Sequence, residues 1–248
     1  MCFGLAPSYA QSAAQMDAKV VYYLGRIDYW RQSSSDGAID SLTSVNDSLE
    51  HYFLKVLSLK AAVTADFKKS KEAGLDCISS EDGKVRFYDW DTWTGGTMHI
   101  FTDLAQNRTT HGAAVMRIVD TTSEGDPGCF YTNVYSTKTA NGTIYMVLYG
   151  VIGSNRDKGE GIAAYAIQND TLVHKPVFHT ATKLLDHIEY GYDFTLVADI
   201  EGERPGIHFS PDMQKLYIPV VKENGAFTKT FLVYAFDGNN YVFDKNLK

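Results

Sequence analysis

The sequence predicts a mainly β fold of antiparallel meanders preceded by two α-helices. Apolar residues recur at steps of three and four only as far as about residue 65, whereas from Leu75 onward they fall in short β-like runs. Asp-Gly, Asn-Gly and Asn-Asp pairs separate those runs, and these are the residues that make tight turns between antiparallel strands.

In the first helix Met16, Val20, Leu24, Ile27 and Trp30 share one face. The run from Ser33 to Gly37 breaks it. Asp36 is placed to cap a second helix in which Ile39, Leu42, Val45, Leu49, Phe53 and Val56 keep the period, while Asp40, Asn46, Asp47 and Glu50 face water. Gly74 is the expected stop before the first strand. A degenerate meander then repeats. Its first copy is Cys77-Ile78, a turn at Asp82-Gly83, Lys84 to Tyr88, and Thr97 to Phe101. The second runs from Tyr131 to Tyr135, through Asn141-Gly142, Thr143 to Val151 and Gly161 to Ile167, and on to Leu172 to Phe178. The third is Ile207 to Phe209, a turn at Asp212-Met213, Lys215 to Val220, Thr230 to Phe236, and Tyr241 to Phe243. Gly150 to Gly161 also reads as a hairpin loop, and Lys183 to His187 as a helical turn or two. The copies are centred roughly 60 to 70 residues apart, longer than the about 40 to 50 of standard propeller repeats, so propeller-like and sandwich arrangements both remain open. With no low-complexity linker, residues 11–248 are expected to form a single domain, a helical part at 11–73 packed on a β part at 74–248.

Composition narrows the function classes. A net charge of -7 disfavours a nucleic-acid partner, and no window approaches the about 18 apolar residues of a membrane-spanning helix. Met1 to Ala10 carry no charge and run into a small-x-small pattern, which reads as the remnant of a signal peptide. The protein is therefore expected to be extracytoplasmic, periplasmic or secreted. Of the three cysteines, Cys77 and Cys129 fall in the mature part and form a candidate disulfide; with no C-x-x-C, a metal knuckle or redox motif is not expected.

The segment Ser80-Glu81-Asp82-Gly83-Lys84-Val85-Arg86-Phe87-Tyr88-Asp89-Trp90-Asp91-Thr92-Trp93-Thr94-Gly95-Gly96-Thr97-Met98-His99 is the most unusual in the chain. Its strand, its Trp-Asp-Thr and its Gly-Gly-Thr-Met-His run resemble uncharacterised exported proteins of Bacteroidetes-type bacteria. The resemblance centres on residues 80–101, is loose elsewhere, and implies no activity.

Alternation places Val85, Phe87, Asp89 and Asp91 on one face of a strand and Arg86, Tyr88, Trp90 and Thr92 on the other. Asp89 and Asp91 would then sit roughly 6.6 Å apart, a spacing compatible with acid–base work on a glycosidic bond, with His99 as a helper. Equally, both can end a strand and bond the amides of the following turn. A calcium site needs more oxygens than two aspartates supply. Tyr88, Trp90 and Trp93 can form a platform for a sugar ring, or pack on the helices through Trp30 or Tyr29. His99 and His111 can meet across a hairpin, but the seven histidines show no short-range ligand spacing, so no metal site is expected. With no nucleophile elbow, P-loop or dinucleotide fingerprint, no cofactor is expected either.

These features point to an exported, non-catalytic binding or envelope-associated protein, its partner a glycan or an envelope protein. A carbohydrate-active hydrolase built on the Asp pair and a structural partner of another envelope protein are the alternatives.

Overall fold

The computed structural model describes residues 11–118, 126–200 and 203–246. The signal-peptide reading falls on residues 1–10, outside the described residues.

Helix α1 (Ala13–Arg31) begins at a reciprocal cap: Ser12 Oγ accepts from the Gln15 amide and the Gln15 side chain accepts from the Ser12 amide. It buries Met16, Val20, Leu24 and Ile27, as its periodicity requires. Helix α2 (Ala38–Val56) buries Leu42, Leu49, Phe53 and Val56. Its N-cap is Gly37 in a left-handed conformation (φ 78°) rather than Asp36, and no side chain caps it. Ile39 stays exposed, and Asn46, expected in water, is buried. A short helix α3 (Lys68–Glu72) is tied to α1 by Asp17, whose carboxylate accepts from the Lys69 and Ser70 amides. Gly74 ends this part in a left-handed conformation.

Fifteen strands follow among the described residues. The first sheet is a four-stranded meander of β1 (Asp76–Ser79), β2 (Val85–Asp91), β3 (Phe101–Arg108) and β4 (Ala113–Arg117). Residues 97–100 turn into β3 rather than belonging to it, and β4 is an extra strand. The second sheet contains β5 (Phe130–Thr139), β6 (Gly142–Ile152), β7 (Asp157–Gln168) and β8 (Thr171–His174). The chain then leaves it to add β9 (Phe178–His179) and β10 (Leu184–Leu185) to the third sheet, and returns as β11 (His187–Asp193) along the first half of β7. Lys183 to His187 is thus extended rather than helical. The stretch from Gly150 to Gly161 is mostly strand, closed by a short turn at 153–156. The third sheet is completed by β12 (His208–Phe209), β13 (Lys215–Val221), β14 (Phe227–Phe236) and β15 (Tyr241–Phe243), with β9 running parallel to β15.

The first and third copies of the repeat use the same turn. Ser80 Oγ bonds Asp82 and accepts from the Val85 amide; Ser210 Oγ bonds Asp212 and accepts from the Lys215 amide. The left-handed position is Gly83 in one and Met213 in the other.

Three apolar layers order the sheets in series. Tyr88, Trp90 and Leu104 face the helices. Val85, Phe87 and Ala105, on the other face of the first sheet, meet Tyr145, Val147, Ala163 and Tyr165 of the second. Ile144, Met146, Ile162 and Ala164 carry the second sheet onto Phe178, Leu216, Ile218 and Tyr234 of the third. The arrangement is sandwich-like, mainly antiparallel β with two N-terminal helices, and propeller closure is not confirmed.

Asn46 joins the helical layer to the first sheet. Its Oδ1 accepts from the Trp90 indole N–H at 3.0 Å, while its Nδ2 donates to Thr92 O and Leu42 O, each at 2.9 Å. Asn46→Leu strands that indole donor in an apolar layer, which costs about 1–3 kcal/mol. In urea denaturation the double variant Asn46→Leu/Trp90→Phe is expected to lose less stability than the two single losses combined, because it removes both partners.

Candidate functional site

The residues singled out in the sequence separate into three environments. Tyr88 and Trp90 are core: both are fully buried against the helices, within 5.8 and 5.6 Å of the Phe53 ring, so neither can be a ligand platform. Trp93 alone is exposed, at φ 57°, with the Arg31 guanidinium 4.3 Å from its ring centre.

Asp89 and Asp91 share a strand face as alternation requires but differ in access. Asp91 ends β2: its Oδ1 accepts from the Trp93 amide at 2.8 Å and its Oδ2 meets His99 Nδ1 at 2.5 Å. The fold thus brings Asp91 and His99 together. The pair resembles the orienting half of a catalytic triad. Among the described residues, however, no hydroxyl or thiol bonds the His99 ring, so the pair lacks an activated nucleophile. His99 and His111 lie beyond opposite ends of β3 and do not form a hairpin pair.

Asp89 is sealed between the first and second sheets at 1% exposure. Its Oδ2 accepts from the Tyr131 amide at 3.0 Å, and its buried Oδ1 has no partner. In register on either side stand Asp76 of β1 and Asp103 of β3. Burial above all, opposed by the Tyr131 amide and reinforced by those two carboxylates, pushes the Asp89 carboxyl up to about 8. A sealed, neutral acid cannot reach a glycosidic bond, so Asp89 is not half of a catalytic pair.

Cys77 and Cys129 are free thiols. Cys77 pairs in register with Tyr88 and packs toward the helices, whereas Cys129 lies in the layer between the first and second sheets. Because the first sheet separates them, the candidate disulfide does not form. Cys129 is instead tied to Asp103, whose Oδ2 accepts from its amide and its thiol, each at 3.3 Å.

The most coherent site carries no sequence motif. Where the first sheet leaves the face of the second uncovered, a cavity of ≈ 310 Å³ opens over β6, β7 and β11. Strand pairing builds its floor in rows: Tyr145, Tyr165 and His174; Val147, Ala163 and His187; Tyr149, Gly161 and Glu189. In the last row Tyr149 lies across β7 and donates its hydroxyl to Glu189 at 3.1 Å. Gly161 makes this possible, since a Cβ there would stand 2.1 Å from the Tyr149 ring. At the other end Asp186 sits between His187 Nδ1 (2.8 Å) and His174 Nδ1 (3.4 Å). Partial burial would raise the Asp186 carboxyl, but the His187 hydrogen bond and the two imidazoles outweigh it and hold it below the usual range. Asp126, Tyr149, Val151 and Glu189 also line a second opening of ≈ 670 Å³, so the two form one cleft. The sequence signal for this floor was an odd-numbered run, Tyr145, Val147, Tyr149 and Val151, opposite a glycine inside a strand.

Compared with protein-family models, curated proteins and solved structures, the chain finds no match.

The buried acid gives a signed pH dependence. A folded-state value of about 8 against an ordinary 3.8 means that the Asp89 contribution is fully present below about pH 4 and is lost as pH rises through about 8. Urea denaturation between pH 4 and 9 is expected to show Asp89→Asn gaining stability relative to the wild type as pH rises, with the difference levelling off above pH 8.

Proposed function

We propose that this chain is an exported, non-catalytic binding protein whose ligand occupies the cleft on the second sheet. The observation that carries this reading is the cleft: a concave floor of tyrosine, valine and alanine with a few carboxylates and imidazoles at its rim. Ligand sites commonly have this composition, an apolar body with a small number of placed polar groups, and a volume of several hundred Å³ suits a small ligand or one end of a larger one.

Most of the floor stands on β6 and β7, the two central strands of the second sheet, and Tyr149 is held by its bond to Glu189 and lies over Gly161. Preorganisation of this kind lowers the entropy lost on binding. Hydrolysis by the Asp pair finds no such support, because Asp89 is sealed and Asp91 is already bound to Trp93 and His99. The uncharged run from Met1 to Ala10 favours export.

Thermal unfolding against soluble oligosaccharides and small organic ions tests the reading, since any ligand of the native state raises the midpoint with concentration. A shift that disappears in Val151→Trp, which fills the cleft, and persists in Asp91→Asn is the expected result. A ligand unaffected by Val151→Trp, or turnover lost in Asp91→Asn, would move the site away from the second sheet.

A further inference from the structure

We infer that the cleft selects a small organic cation, an amine or quaternary ammonium carried on a compact apolar body. The inference rests on the binding reading above and specifies its ligand.

The first ground is the sign of the lining. Asp126 and Glu189 stand at the rim of the ≈ 310 Å³ cavity, and neither lysine nor arginine lines it among the described residues. Its two histidines are not free counter-charges, because both Nδ1 atoms face Asp186. Lys158, in the adjoining opening, has its ammonium 3.6 Å from the centre of the Phe194 ring. An anionic ligand would therefore meet carboxylates without a partner cation, whereas a cation gains from the same field, in a chain whose net charge is -7.

The second ground is aromatic. Tyr131, Tyr149 and Tyr165 all line the cavity, on three adjacent strands. Ring faces attract ammonium groups by their quadrupole, and the attraction grows as the cation loses water. Aliphatic Val147 and Val151, on either side of Tyr149 along β6, accept the apolar body of the ligand.

The third ground is independent of charge counting. The Tyr131 hydroxyl is buried in a residue only 4% exposed and, although beside the Cys129 thiol, makes no hydrogen bond of ordinary geometry. A buried hydroxyl without a partner costs free energy unless something else satisfies it. Its oxygen can accept from an ammonium N–H or, for a quaternary ammonium such as choline, from the ligand's hydroxyl, and the adjacent lining residue Cys129 is tied to the Asp103 carboxylate. Tyr131 thus gives the lining one polar group without a partner of its own.

Isothermal titration of the full chain with choline and phenethylammonium, each beside its neutral counterpart (3,3-dimethylbutan-1-ol and 2-phenylethanol), and with cellobiose and maltose, decides the question. The expected result is binding of at least one cation about tenfold tighter than its neutral counterpart, the scale of one desolvated cation–π contact plus a carboxylate. Tyr149→Leu and Glu189→Gln should each weaken that binding severalfold, and the unliganded unfolding midpoint shows that each variant is folded. Val151→Trp should abolish binding without touching any charged group. Equal binding of cation and neutral counterpart, or binding of a disaccharide alone, with loss in Val151→Trp, would overturn the charge inference and leave the cleft as a binding site. No binding of any probe would overturn the inference; thermal shifts from the wider panel, sensitive to Val151→Trp, would then decide separately whether the cleft binds at all.

Discussion

The double-sided burial of the first sheet is the constraint on which the rest of the structure depends. A meander with helices on one face and another sheet on the other leaves its wet residues to the edges and strand ends, so its central strand must be apolar in both directions. Strand β2 meets this demand: Val85 and Phe87 are buried toward the second sheet, Tyr88 and Trp90 toward the helices. Every polar group it carries then needs an internal partner. Asn46 answers the Trp90 indole from α2, and the Tyr131 amide answers one oxygen of Asp89 from β5. The other oxygen goes unanswered, and keeping the acid neutral is the cheaper solution in a dry layer flanked by Asp76 and Asp103.

That constraint also explains which parts of the fold were legible in the sequence. Periodicity located both long helices and most strands of the second and third meanders, because amphipathic spacing is a local property, but it took the first part of β7 for a loop and missed β9 to β11. It misread Asn46, since an asparagine on a helix is ordinarily wet and its partner, Trp90, lies 44 residues away. It paired Asp89 with Asp91 correctly by face and wrongly by access, because alternation says which side a residue takes but not what covers that side. The Cys77–Cys129 pairing failed for the same reason: an even cysteine count is visible in sequence, and a sheet standing between two thiols is not. The contact of Asp91 with His99 was not read from the sequence; it depends on a turn that Gly95 lets close tightly, since a Cβ there would stand 2.1 Å from the Met98 carbonyl oxygen.

The chain path adds cooperativity to the layering. After β8 it crosses to the third sheet as β9 and β10, returns to the second as β11, and crosses again to complete the third with β12 to β15. Neither sheet can form its full hydrogen-bond ladder without the other. Val177 sits at the crossing, buried in the layer between the two sheets, with its carbonyl accepting from the Tyr241 amide. Such long-range pairing is slow to form, since the loops must close before the contacts reward them. Once formed, it holds β7 and β11 in register, and with them Gly161, Ala163, His187 and Glu189.

The cleft follows from these two features together. The first sheet reaches the second mainly through β1 and β2 against β5, and through β3 and β4 against β8, which among the described residues leaves the middle of β6, β7 and β11 without a cover. On a sheet whose opposite face is packed against the third, an uncovered middle is a stable concavity rather than a gap that repacking can close, because the strands beneath it are held from below. The same geometry sets a buried polar seam of Asp89, Asp103, Cys129 and Tyr131 beside an apolar floor. Two polar atoms of that seam, Asp89 Oδ1 and the Tyr131 hydroxyl, have no partner, and each costs free energy in a dry layer. Of the carboxylates that looked catalytic in the sequence, Asp89 is therefore a neutral member of that seam and Asp91 holds the turn that carries Trp93 and His99.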